Sequence, residues 1–144
     1  MPKISTFMLC GSINNYAGRD INAVHLLSPQ VLLCPPCIPG SFSFGVAVGI
    51  ANVDTTKNHS FFFEISDPDN KVIQKSIKSV LGAHNIKINI PIKYQGFMLC
   101  TDIRNLLISK PGEYCFKVYI DDKEIDKRNF AVYSENILNE NNHK

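Results

Sequence analysis

Apolar residues recur at every second position along most of this chain. In "NIKINIPIK", Ile86, Ile88, Ile90 and Ile92 fall on one side, and Lys87, Asn89, Pro91 and Lys93 on the other. "EYCFKVYID" repeats the pattern with Tyr114, Phe116, Val118 and Ile120, and "FFFEISD" sets Phe61, Phe63 and Ile65 against Glu64 and Ser66. Neighbouring side chains of a strand point to opposite faces, so a period of two predicts strands with one face buried. "SFSFGVAVGIA" is a variant in which Phe42, Phe44, Val46, Val48 and Ile50 alternate with Ser43, Gly45, Ala47, Gly49 and Ala51. One of its faces is large and apolar, and the other has almost no side-chain volume.

Turn chemistry separates these runs. Asp67-Pro68-Asp69-Asn70 places proline second among turn-forming residues, Pro111-Gly112 marks another turn, and Asp121-Asp122-Lys123 closes a hairpin. Strands are expected over 3–10, 20–27, 42–51, 60–67, 71–77, 85–92, 95–100, 113–121 and 124–133. The one helical candidate is a single turn around Asp102 to Leu107. Short strands at regular spacing predict an all-β fold, an antiparallel immunoglobulin-like β-sandwich of about eight or nine strands. Its expected core holds Phe42, Phe44, Phe61, Phe63, Ile88, Ile90, Phe116 and Val118. Residues 1–133 read as one domain, and the polar, Asn-rich 134–144 as a flexible tail.

Composition narrows the functional classes. With 144 residues, 44% of them hydrophobic, the chain can bury a working core without disulfides or metals. No apolar run approaches the roughly 20 residues of a membrane helix. The N-terminal stretch reads as a strand and turn rather than a secretory signal, so a cytoplasmic protein without membrane partners is expected. The net charge is only +2, with three arginines and scattered lysines, which is not the concentrated basic stripe of a nucleic-acid binder. Five cysteines, an odd number, fit reduced thiols better than a disulfide framework.

Two stretches resemble known proteins. "FFFEISDPDNKVIQKS", followed by "LLISKPGEYCFKVYIDDKEI", resembles the strand-turn-strand and closing strands of immunoglobulin-like sandwich domains. Tyr114 stands where those domains carry a tyrosine that hydrogen-bonds back to the chain upstream, with Leu106 or Leu107 as the apolar anchor. "FMLCGSINNYAGRDINAVHLL" adds a similarity to a family of small uncharacterised bacterial β-sandwich proteins, over about residues 4–130. Those proteins open with an apolar-Leu-Cys strand and a Gly-containing turn. Here Gly11-Ser12 replace the paired acidic residues that usually follow the cysteine, and Cys34 and Cys37 have no counterpart. The resemblance implies a fold and no activity.

Candidate chemistry is sparse. "LLCPPCIPG" spaces Cys34 and Cys37 as C-x-x-C, but Ile38-Pro39-Gly40 and an alternating strand follow. A redox couple needs a helix N-terminus to lower its thiol pKa, and a structural zinc site needs a second ligand pair. Pro35, Pro36 and Pro39 therefore read as stiffening a connection, and no metal or cofactor is expected. His25 reads as a core or interface residue, His59 and His84 as loop residues and His143 as part of the tail; none gives a recognisable triad. Asp67, Asp69 and Asn70 do not follow the spacing of a calcium loop and are accounted for by the turn.

What remains is a binding surface. Ser43, Gly45, Ala47 and Gly49 permit close approach, either within the domain or by a partner. Asn14, Asn15 and Arg19, in an expected turn over 11–19, and the 34–40 loop would present contacts at one end. The function expected is a non-enzymatic binding or assembly module acting through protein association. Its partner would be a second copy or another protein, with a small-molecule pocket also open. The alternative is an enzyme or a metal or thiol protein using Cys34 and Cys37 with distant loop residues.

Overall fold

The computed structural model describes residues 1–17, 22–83 and 89–135, excepting the side chains of 15–17 and 22–23. Among the described residues, ten strands form two sheets: β1 Lys3–Ala17, β2 Asn22–Gln30, β3 Leu32–Leu33, β4 Gly40–Ala51, β5 His59–Ser66, β6 Val72–Lys75, β7 Ser79–Leu81, β8 Gly96–Ile108, β9 Gly112–Ile120 and β10 Lys123–Val132. One sheet runs β2-β1-β4-β8, and the other β3-β10-β9-β5-β6, with β7 also paired to β5. Among these strands every pairing is antiparallel except that of β3 with β10. The two sheets pack as an immunoglobulin-like sandwich.

The expected turns form for the expected reasons. Asp121 and Asp122 both take positive φ, 51° and 66°, as a two-residue hairpin loop between right-twisted strands demands. Asp67 is buried, and its Oδ1 accepts the amides of Asp69 and Lys71, each at 2.9 Å. That carboxylate is occupied in holding the β5–β6 turn together.

The inward-facing residues of both sheets meet in one aromatic core. Phe44, Phe61, Phe63, Phe116 and Val118 are buried as expected, and Phe42 packs half-buried at its margin. Phe63 stacks on Phe116 at 4.8 Å between centroids, and Phe44 meets Phe130 at 6.1 Å. Tyr114 is wholly buried, and its hydroxyl donates to the Lys110 carbonyl at 2.7 Å, which is the tyrosine corner. Leu106 is buried as its upstream anchor, while Leu107 faces solvent.

Several expectations are corrected. The strand expected over 85–92 is not one where it is described: 89–91 are irregular, and Ile92–Tyr94 form a 3-10 turn. Pro91 lacks an amide for a ladder, and the Ile90 carbonyl is taken by Gln95 Nε2 at 2.7 Å. Ile90 is only half-buried, and Ile86 and Ile88 lie outside the described residues. The helical turn expected over 102–107 is strand, the second half of β8. Asn105 there has φ 54° and donates its amide to Ser43 Oγ at 2.9 Å, an irregularity opposite Phe42–Phe44 that breaks the period of two. The expected 11–19 turn is strand as far as Ala17, and the short β3 and β7 had no sequence expectation. All but Ser134 and Glu135 of the expected tail lies outside the described residues. No described helix is long and apolar enough to cross a membrane.

Candidate functional site

The small residues of β4 lie beneath side chains of their own domain. Gly45, Ala47 and Gly49 are buried. A Cβ on Gly45 would stand 2.6 Å from Cys10 Sγ and 2.9 Å from Ile13 Cγ1; one on Gly49 would stand 3.0 Å from Ser5 Oγ and 3.1 Å from Met98 Sδ. Their smallness makes room for side chains from β1 and β8, so these three do not themselves form an open face. Ser43 is exposed but engaged with Asn105. Asn14 is exposed opposite His25, and Asn15 pairs by backbone with Val24. Arg19 lies outside the described residues, as does the side chain of Asn15.

The C-x-x-C stretch lacks a helix N-terminus. Cys34 is half-buried and Cys37 exposed, and the chain between them and β4 contains no helix. Burial pushes the Cys34, Cys10 and Cys100 thiols up, the opposite of what a nucleophilic thiolate needs. Among the described residues, no group of three or more His, Cys, Asp or Glu side chains could hold a metal ion.

Two of the four histidines, His25 and His59, lie among the described residues. His25 is exposed on β2, which removes the core alternative of its expected core or interface placement, and His84 and His143 lie outside the described residues. His59 opens β5 rather than sitting in a loop. Its Nδ1 is 2.7 Å from Asp121 Oδ2, the geometry of a base held by a carboxylate, but Nε2 is 2.7 Å from the Asp54 carbonyl oxygen. Both nitrogens are thus spoken for, and neither presents a lone pair to a substrate.

The side of the sandwich between β8 and β6–β7 has the makings of a binding site. β8 ends the four-stranded sheet, and β6 and β7 share the margin of the other. Between them opens a cleft of about 200 Å³ walled by Val48, Phe61, Phe63 and Phe116 of the core, with Ile77, Ser79, Leu99 and Thr101 at its mouth. Ile77 in that lining is 87% exposed, and Val80 and Met98, next in sequence to lining residues but turned to the outer faces of β7 and β8, are 74% and 57% exposed. From Gln95 to Thr101 the chain has no charged residue. A charge-free half of an edge strand, ahead of Asp102 and Arg104, beside an apolar opening is what folded proteins usually guard against.

The opposite side differs. Its cleft, about 390 Å³, is lined by residues including Phe7, Met8, Pro29 and Val31. There Pro29 lacks an amide, Ser28 has φ 56° and β3 has only two residues, so both strand margins are interrupted. Sequence reasoning missed the open side because Ile77 and Met98 read as ordinary residues of the strands expected over 71–77 and 95–100, and Val80 fell between expected strands. The uncharged run "QGFMLCT" was the one available signal.

No curated protein matches the chain. Among solved structures, a glycosyl hydrolase family 2 member from Bacteroides cellulosilyticus aligns with 90% of this chain at 12% identity and a TM-score of 0.49, and the chain spans 15% of that protein's length. An immunoglobulin-like protein from Pseudomonas aeruginosa aligns over 92% of this chain and 97% of its own, at 11% identity and a TM-score of 0.33. The family of unknown function DUF6941 matches residues 5–133. That range takes in nearly the whole sandwich, from β1 to the end of β10, and the chain belongs to this family.

Proposed function

We propose that this domain is a non-enzymatic binding module that acts by protein association, and that its partner docks on the open side of the sandwich. An extended segment would pair with β8 while an apolar side chain enters the neighbouring cleft, combining main-chain hydrogen bonds with a specificity pocket. The observation that carries this reading is the pairing of a strand margin that is uncharged from Gly96 to Thr101 with a cleft that reaches the core phenylalanines and has exposed Ile77 in its lining. A second copy of the chain is the partner proposed first, because an antiparallel β8–β8 contact is self-complementary about a two-fold axis. The reading includes a bacterial, cytoplasmic setting, supported by the family resemblance and by five free thiols.

The test is the mass in solution by light scattering, for the wild type and for Ile77→Glu and Val80→Glu. Both residues are exposed, so a charge there costs the monomer little. The wild type should exceed the 16.1 kDa of one chain at high micromolar concentration, and both variants should return to it with unchanged circular dichroism. A wild type that stays at 16.1 kDa removes self-association, and variants that stay associated remove this side as the interface. A small apolar molecule carried through purification and seen by native mass spectrometry would give the cleft to a ligand instead.

A further inference from the structure

His59 joins two elements at one end of the sandwich. Nδ1 lies 2.7 Å from Oδ2 of Asp121, in the β9–β10 turn, and Nε2 lies 2.7 Å from the carbonyl oxygen of Asp54, in the connection before β5. Both partners are acceptors. A neutral imidazole has one N–H and would turn a lone pair toward one of these oxygens; the imidazolium donates to both. The ring is only 13% exposed, so water is a poor substitute partner. We propose that His59 is a proton-operated clasp, whose imidazolium ties the 52–58 connection to the Asp121–Asp122 turn and whose deprotonation releases one of the two bonds.

The surroundings favour the charged form. The hydrogen bond to Asp121 raises the His59 pKa above its ordinary value, outweighing the opposing effect of burial, and the Asp54 carbonyl and carboxylate add to it. The Asp54 carboxylate also accepts from Thr56 and faces Lys57 at 3.9 Å. From the turn, Asp122 is paired with Lys78, and Lys123 acts on Asp121. On β7, Leu81 stands opposite His59 and brings no charge.

The sign follows from the two partners. A raised histidine pKa gives stability that is complete below about 6.5, the unfolded value, and is lost as pH rises through the folded value. The Asp121 pKa is lowered, first by its bond to His59 and then by the Ser60 amide. Its contribution is present above the ordinary carboxylate range and is lost as pH falls through the lowered value. The clasp is therefore firmest at weakly acidic pH. Its release would be felt beyond the turn, because Asn58 Oδ1 in the same connection accepts the Ala83 amide at 2.7 Å, just past β7.

The experiment is an NMR titration of the histidine rings in the full chain, with the His59 signal assigned by its loss in His59→Gln. The His59 midpoint should lie above that of an unstructured histidine and should fall in Asp121→Asn. Protection of the Ser60 and Ala83 amides against hydrogen exchange should drop across the same midpoint in the wild type. A midpoint at or below the unstructured value, or one that Asp121→Asn leaves in place, overturns the clasp; so does amide protection that ignores the titration. If His59→Gln does not fold, Asp121→Asn and selective ring labelling still decide between these outcomes.

Discussion

Substituting Gly45 by alanine measures how closely the side chains of β1 cover β4. The new methyl would lie 2.6 Å from Cys10 Sγ, 2.9 Å from Ile13 Cγ1 and 3.2 Å from Ile13 Cδ1. Comfortable contacts are about 3.5–4.0 Å, so the sulfur must retreat by roughly 1 Å. Cys10 is fully buried, whereas Ile13 is only half-buried. Overpacking of this kind costs about 1–3 kcal/mol. Alanine recovers about 0.5–1 kcal/mol by restricting the unfolded chain. The net expectation for Gly45→Ala is a loss of about 1–2 kcal/mol. Cys10→Ala alone removes a buried sulfur and should cost about 1–2 kcal/mol. Combined, the methyl added at position 45 takes the space the sulfur left, so the double variant should be more stable than the sum of the singles by about 1 kcal/mol or more. Urea unfolding of the four proteins, followed by circular dichroism, reads each value. Single effects that add to within about 0.5 kcal/mol would mean that Cys10 and the side chain at position 45 do not compete for space, and the packing argument would fail.

Three further expectations rest on other parts of the fold. Tyr114→Phe keeps the buried ring but leaves the Lys110 carbonyl without its hydroxyl donor, a loss of about 1–2 kcal/mol in urea unfolding; an unchanged midpoint would make the tyrosine corner energetically idle. Asp67→Ala removes the acceptor of two turn amides and should cost about 1–3 kcal/mol by the same measurement, whereas a neutral result would mean that the turn holds without it. In a thiol-reagent time course on the native protein, exposed Cys37 should react first and buried Cys10 only on unfolding. Early labelling of Cys10 would contradict the layer that covers it.

The all-β sandwich, its turns and most of its core were legible in the sequence because each is encoded locally. Phe61, Phe63, Phe116 and Val118 declare their face by alternation, and Asp121-Asp122 declares a hairpin by its tolerance of positive φ. Tyr114 could be placed because its acceptor lies only four residues upstream. Where local pattern and tertiary pairing part company, the reading failed. Ile90 alternates correctly, yet the chain there forms no described ladder, because Pro91 cannot donate and Gln95 takes the Ile90 carbonyl. The helical look of 102–107 comes from one irregularity in a long strand, which only the register against β4 exposes. The small residues of β4 signalled close approach, but the sequence could not say that Cys10, Ile13 and Met98 make it. The open side and the His59 bridge were invisible for the same reason. Ile77, between β6 and β7, and Leu99 of β8 line the same cleft, and His59 meets Asp121 across 62 positions of chain. Alternation records which face a residue turns inward, but it carries no information about which strand will stand opposite or which strand will be left without a neighbour; the pairing of strands distant in sequence decides that.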